Sequence, residues 1–385
     1  MNHFLFKAPT KIIFGVNEAL KISELCSQLG ANKPFLVTDK VIATLEPFQN
    51  LAKALMEAGI SYELFTECEI DPPVEVVDHV AKLLKESGCD LVIAVGGGSS
   101  IDTAKAICML YSNEGSVRDY LFGGTKTVTN PSLPLIAVPT TAGSGSEVTA
   151  ASVITDTQNN IKLSVTHEYL LPKFAVVDPM MQIGMPGFIT ATTGMDALTH
   201  AIEAYVSLNA NPISDAYAQK AMELIRGHIR TAMFVPGDLV ARSNMAIASV
   251  MAATAFVHAG LGAVHGISQS IGGVAHVAHG LSNAMMLPYV VEVNIPGNIK
   301  KFAEIAKLLG EETGGLSLRN QALLAVTAIE GLVNDLRIPR KLREVNVTEE
   351  MFPVIVKGTM EYRLLAVNPV KIREQDVYAI LEKAF

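Results

Sequence analysis

Residues 91–105 read LVIAVGGGSSIDTAK, and this run decides the fold. Five apolar residues make a strand buried on both faces. Three glycines follow, a turn with no side chains to obstruct a ligand. SSIDTAK then opens a helix whose first N–H groups face the loop. Ser99 with Asp102 also fits a capping pattern. The glycines do not follow the dinucleotide fingerprint G-x-G-x-x-G, because Ile101 stands at the third glycine position, and the run is not a P-loop. It reads as a tight strand-to-helix turn suited to a phosphate.

Outward from this run, apolar stretches at 35–38 (FLVT), 135–138 (LIAV) and 175–177 (AVV) read as further strands, and 74–87 as a helix between two of them. Apolar strands alternating with helices imply a parallel sheet covered on both faces. Residues 151–155 and 161–166, separated by DTQNN, read as an inserted hairpin. After Met185-Pro186-Gly187 the character changes to long Ala/Leu/Met-rich helical periodicity, with helices expected at 190–207, 212–230, 237–259, 261–276, 298–310, 317–336 and 374–384. The expectation is an α/β domain over 1–185 and an all-α domain over 186–385, in line with roughly 150 residues per domain.

Composition narrows the function. The chain of 385 residues is 49% hydrophobic and 18% charged, so a large core is available and global disorder is excluded. Its net charge of −8, without a Lys/Arg run longer than two, argues against nucleic acid or an anionic membrane as partner. Cys26, Cys68, Cys89 and Cys108 form no C-x-x-C or structural zinc spacing. With an N-terminus lacking a signal-peptide pattern, they suggest a cytoplasmic protein. Residues 245–264 carry no acidic or basic side chain and are long enough for a membrane span, yet their Ala, Gly and Ser content reads as a buried helix.

Several side chains are placed for chemistry. A second loop, PTTAGSGSE over 139–147, also follows a strand, and both loops lie at carboxyl ends of strands, where open α/β sheets bind ligands. Asp39 ends the FLVTD strand, where a carboxylate can accept from ribose hydroxyls and repel a 2′-phosphate; a turn or N-cap aspartate is the plainer alternative. Four of nine histidines (His258, His265, His276, His279) fall within 22 residues. Asp196 and His200 are spaced i,i+4 and share a helix face. Asp196, His200, His265 and His279 could surround a divalent cation, and three imidazoles with one carboxylate suit Fe²⁺ or Zn²⁺ better than Ca²⁺ or Mg²⁺.

Taken together, GGGSSIDTAK, PTTAGSGSEVT, ATTGMDALTHAIEAY and VHGISQSIGGVAHVAHGLSNAMMLPYV resemble the iron-containing alcohol dehydrogenase family over nearly the whole chain. The resemblance implies a Rossmann-like N-terminal domain, a helical C-terminal domain, an active site in the cleft between them, and an assembly of two or more copies. It also implies NAD(H) and one divalent metal, Fe²⁺ or Zn²⁺. Position by position, Asp196, His200, His265 and His279 match the family's metal ligands. Gly97, Gly98 and Ser99 match its pyrophosphate loop, and Thr140, Thr141, Thr149 and Lys162 match other cofactor contacts. Asp39 matches the residue associated with preference for NAD over NADP, and Asp71, Asp102, Ser144 and Met181 are expected along the cofactor's path.

Departures from the family pattern concern the substrate. A second histidine commonly stands four residues after the third metal ligand; here it is Gln269, a neutral amide that cannot shuttle a proton near pH 7. Asp71 stands where Asn is frequent, and the usual Asn-Pro-Arg reads Asn368-Pro369-Val370 after Tyr362 and Arg363. His276, one turn from His279, is a candidate to line the cleft, whereas His258 reads as structural. The expected activity is hydride transfer between nicotinamide and short, polar aldehydes, hydroxylated or anionic ones such as sulfonated aldehydes included. The alternatives are a glycerol-dehydrogenase or dehydroquinate-synthase type of metalloenzyme, or a non-catalytic nucleotide-binding protein.

Overall fold

The computed structural model describes residues 3–159 and 161–385. They form two compact units, Lys7–Gly184 and Met185–Phe385, the latter joined by the segment ending at Phe6. The first unit runs β1 (Lys11–Phe14), α1 (Ile22–Gln28), β2 (Pro34–Val37), α2 (Glu46–Glu57), β3 (Glu63–Phe65), α3 (Val74–Ser87), β4 (Leu91–Gly96), α4 (Gly98–Ser112), β5 (Leu135–Pro139), β6 (Ala151–Asp156), β7 (Ile161–Thr166) and β8 (Phe174–Val177). Six strands make one parallel sheet in the order β1-β8-β5-β4-β2-β3.

The central strands are apolar on both faces because both faces are covered. Leu36, Ile93, Val95, Ile136 and Val138 pack with Ile22, Phe48, Leu51 and Leu55 of α1 and α2. Their neighbours Val37, Ala94 and Ala137 pack on the other side with Val77, Leu84, Ile101 and Ile107 of α3 and α4. β2 and β4 are neighbours, yet the chain leaves β2 toward β3 on one side and leaves β4 toward β5 on the other. That is a topological switch point, and open sheets bind ligands at the carboxyl ends of such strands. The register pairs Val37 with Ala94, which brings Asp39 and the Gly96–Gly98 turn to the same end of neighbouring strands.

β6 and β7 form the expected antiparallel hairpin, with Thr155 opposite Lys162; of the residues between them, 160 lies outside the described residues. β1 and β3 have no counterpart in the sequence reading. They are short sheet edges that begin on a charged residue, KIIF and ELF, and most of their side chains are exposed.

The second unit is helical: α5 (Gly187–Val206), α6 (Pro212–Phe234), α7 (Leu239–Ala259), α8 (Ala263–Ala275), α9 (His279–Asn294), α10 (Ile299–Leu308), α11 (Leu318–Asp335), α12 (Phe352–Glu361) and α13 (Glu374–Ala384). Asn211 caps α6 through its side chain, with Pro212 in the first turn. The uncharged run 245–264 is not one helix. Gly260, at φ 83°, ends α7, and α8 starts at Ala263. By length and composition α7 could cross a membrane, but it packs against α5 and α6 and is largely buried. α9 and α12 escape the sequence reading. α9 is apolar on nearly all sides and holds Pro288, so it shows neither an amphipathic period nor an uninterrupted helix pattern.

Buried Arg242 of α7 fixes the start of α5. Its guanidinium donates to Thr190 Oγ1 (2.8 Å), Met185 O (3.1 Å) and Pro236 O (3.1 Å).

Candidate active site

On α5, Asp196, His200 and Glu203 fall at i, i+4 and i+7, one polar stripe on a helix buried on nearly all sides. α8 contributes His265, and α9 contributes His279 and, one turn later, Asn283. Oδ1 of Asp196 lies 3.8 Å from Nε2 of His200, 3.9 Å from Nε2 of His265 and 3.8 Å from Nε2 of His279. The ligand atoms of Asp196, His265 and His279 all lie within 4.8 Å of one another. The ring of His200 stacks on that of His265 at 4.7 Å and meets Phe256 at 4.6 Å.

These groups suit a divalent cation. Separations near 3.8 Å are too long for hydrogen bonds, yet match ligands arranged around one small ion. A carboxylate and three imidazoles converge in a largely buried site. The amide N–H₂ of Asn283 is aimed among them, 2.6 Å from Asp196 Oδ1, 3.2 Å from His265 Nε2 and 3.1 Å from His279 Nε2. Burial pushes the Asp196 carboxyl up, but His200, His279, His265 and the Asn283 amide outweigh it and hold it below its usual range. It is a carboxylate at neutral pH.

In the α/β unit, the Gly97 turn begins α4 without any side-chain cap, leaving the first N–H groups of the helix for another acceptor. The capping expected of Ser99 and Asp102 does not occur. Ser99 sits inside the first turn and its Oγ accepts from Asp71 N–H at 3.2 Å. The Asp102 carboxylate accepts from Ser146 Oγ (2.5 Å) and Val153 N–H (3.0 Å). The two loops pack closely, since a Cβ on Gly98 would lie 2.8 Å from Ser144 Oγ and one on Gly97 would lie 3.4 Å from Thr141. Thr140 N–H donates to Gly96 O at 2.9 Å, which fixes the start of the second loop beside the first.

Beneath the loops lies Lys105, fully buried, which donates to Ser146 Oγ (2.8 Å), Thr149 Oγ1 (3.0 Å) and Ala151 O (2.7 Å). Burial pulls its ammonium down to about 8 against the attraction of Asp102 and Glu147. Burial likewise pushes the Glu147 carboxyl up to about 7.

The remaining expected residues have definite places. Asp39 Oδ1 accepts from Val41 and Ile42 N–H (2.8 and 2.9 Å), so the carboxylate anchors the turn after β2 at the switch point. Asp71, in the left-handed region at φ 55°, pairs its Oδ2 with Lys162 Nζ at 2.7 Å. Met181 is buried under the sheet with Phe48 and Val176. Gln269 stands half-buried one turn after His265 on α8. His276 is exposed and ends α8 in the left-handed region at φ 54°. His258 stacks on Phe6 at 4.0 Å and bonds Thr254 O at 2.8 Å.

Three residues of these clusters were missed by the sequence reading: Glu203, Asn283 and Lys105. Each had a spacing signal. Glu203 continues the Asp196/His200 face by three positions, Asn283 follows His279 by four, and Lys105 follows Asp102 by three.

The family model for iron-containing alcohol dehydrogenase matches residues 9–179, and that for the C-terminal region of the Fe-containing alcohol dehydrogenase family matches 190–385. The chain belongs to the iron-containing alcohol dehydrogenase family. It is an oxidoreductase, an alcohol dehydrogenase that uses NAD(H) and a divalent metal. It is 39% identical to a 1,3-propanediol dehydrogenase of Klebsiella pneumoniae over 99% of both chains. It is 38% identical to an NAD-dependent methanol dehydrogenase of Bacillus methanolicus over 98% of this chain and 99% of the relative. A crystal structure of a 1,3-propanediol oxidoreductase superimposes with a TM-score of 0.96 at 39% identity, covering both chains completely.

Proposed function

We propose that this enzyme interconverts short aldehydes bearing a neutral polar tail with the corresponding alcohols, and that Asp196, His200, His265 and His279 hold its metal. The observation behind the metal assignment is the convergence of ligand atoms of Asp196, His265 and His279 within 4.8 Å of one another, with His200 Nε2 at 3.8 Å from Asp196 Oδ1. When bound, the metal supplies Lewis-acid polarisation of the substrate oxygen, and nicotinamide supplies or accepts the hydride.

The chain's own residues do the rest. Gly97, Gly98 and Ser99 present backbone to the pyrophosphate, with Thr140 and Thr141 beside them, and Asp39 accepts from the ribose at the switch point. Gln269 can both donate to and accept from a substrate hydroxyl, but it holds no proton to relay near pH 7. A hydroxylated tail is favoured because Gln269 is uncharged, and because the relatives include a dehydrogenase named for a diol. Burial raises the Tyr362 hydroxyl, with Glu203 adding to the effect, so it stays protonated, its ring packed beside Gly266 of α8.

The test is NADH turnover on matched aldehydes before and after chelation, with metal analysis of the same sample. Short hydroxyaldehydes should show higher kcat/KM than propanal or butanal, and Gln269→Ala should erase that advantage. Preference for plain alkanals, or an equal loss on every substrate in Gln269→Ala, removes the polar-tail reading. Better turnover of sulfonated aldehydes points instead to an anion site. No NADH oxidation with any aldehyde points to a non-catalytic or different metalloprotein.

A further inference from the structure

Glu203 is a buried carboxylate outside the ligand set, and both of its oxygens are committed. Oε2 lies 2.6 Å from His265 Nδ1, and Oε1 accepts from Val264 N–H at 2.7 Å. The Asn283 N–H₂ group faces the other ring nitrogen of His265, Nε2, at 3.2 Å, which makes Nε2 the acceptor and Nδ1 the nitrogen that donates to Glu203. Nε2 is then the ring nitrogen left for a metal, and it is the one on the Asp196 side, 3.9 Å from Oδ1. The opposite tautomer would put an N–H where a ligand lone pair is needed.

The second oxygen fixes the backbone that carries the ring. The first N–H groups of a helix have no partner inside it. At the start of α8, Val264 N–H goes to Glu203 and Ala263 N–H goes to Asn368 Oδ1 at 3.1 Å. Gly262 lets both acceptors approach, since a Cβ there would meet Asn368 Oδ1 at 2.6 Å and Glu203 Oε1 at 3.1 Å. One side chain on α5 sets both the ring of His265 and the turn beneath it.

We propose that Glu203 is a positioning residue, selecting the form of His265 that ligates through Nε2 and so raising the affinity of the chain for its divalent metal. This rests on the metal assignment above. Glutamine separates the role from simple space-filling. Its single carbonyl can satisfy Val264 N–H or His265 Nδ1–H but not both, and its amide N–H₂ would then face a donor or force the other tautomer.

Three measurements test it: Zn²⁺ affinity by competition with a chromophoric chelator, metal content of the purified protein, and the ¹⁵N shifts of the His265 ring in apo-protein. Glu203→Gln should weaken Zn²⁺ binding about 10- to 100-fold and move His265 away from the Nδ1–H form. Glu203→Asp, which keeps the charge with a shorter reach, should lose less. Asn368→Ala removes the other cap of the same helix without touching His265, and should leave the ring's tautomer unchanged. Wild-type affinity in Glu203→Gln overturns the proposal, as does an equal loss in Asn368→Ala. Should the glutamine variant not fold, wild-type His265 in the Nε2–H form overturns it without any variant. A wild type that binds no metal at this cluster is a distinct result and removes the metal assignment itself.

Discussion

Asp196 and His200 stand one turn apart on α5, with Oδ1 of the first 3.8 Å from Nε2 of the second. A direct hydrogen bond would bring them about an ångström closer. Two ligands each about 2.0–2.2 Å from a shared ion leave roughly this gap. Helix geometry thus presents half of the proposed ligand set before any tertiary contact forms.

Replacing His200 should therefore remove metal and activity together. In His200→Ala we expect sub-stoichiometric metal and a fall in kcat/KM greater than the roughly 10- to 100-fold typical of losing an outer hydrogen-bond partner of a ligand. Metal analysis and turnover on one sample check this. Full activity from metal-free His200→Ala protein would contradict it.

On the proposed placement, Asp39 should govern the choice of nucleotide. Its carboxylate closes the turn after β2, alongside the Gly96–Gly98 turn at the switch point. A carboxylate near a 2′-phosphate costs at least ~1 kcal/mol even when solvated, roughly a fivefold preference for NADH. Asp39→Gly should raise the NADPH-to-NADH ratio of kcat/KM by at least that factor. A wild type that already prefers NADPH refutes the placement.

What the sequence disclosed follows the physics of burial. β2, β4, β5 and β8 are covered on both faces, so they read as apolar runs, whereas the edge strands β1 and β3 are short, start on Lys11 and Glu63 and leave most side chains exposed. Long helices with one exposed face, such as α6 and α11, showed their period, whereas the ten-residue α12 did not. α9 did not, because nearly every side of it is buried. Asp196, His200, His265 and His279 stood out through residue type and spacing. Glu203 sat in the same quoted motif and passed unnoticed, because a glutamate on a helix is ordinarily solvated and only the fold buries it against His265.

The cluster of Lys105, Asp102 and Glu147 predicts a pH dependence of stability. Burial raises the Glu147 carboxyl from its ordinary 4.5 to about 7 in the folded chain. Between those values the folded state binds more protons than the unfolded one, so stability falls as pH rises. The stabilisation is fully present below pH 4.5 and lost as pH climbs through about 7. Glu147→Gln cannot titrate and should flatten that part of the curve. Thermal melting of both proteins across pH 4.5–7.5 checks it, and identical slopes would rule it out.

The final prediction concerns two glycines that differ only in surroundings. Gly280 lies in the first turn of α9, next to His279, and a Cβ there would sit 2.6 Å from the carbonyl oxygen of Thr192 and 3.4 Å from Asp196 Cβ. Thr192 O is backbone, so no rotamer relieves the clash and α5 must move away from α9. Overpacking of this kind typically costs about 1–3 kcal/mol. The separation would also part Asp196 from His279, whose Oδ1 and Nε2 now lie 3.8 Å apart. Gly227, inside α6, has nothing within 4 Å of its built Cβ. Alanine there should stabilise by about 0.5–1 kcal/mol, since glycine loses more backbone freedom on folding. We therefore expect Gly280→Ala to lower Tm and metal affinity together, and Gly227→Ala to raise Tm with metal affinity unchanged. Melting curves and chelator competition on the two variants decide the matter. Wild-type metal affinity in Gly280→Ala would show that the α5–α9 contact does not set the geometry of the ligands.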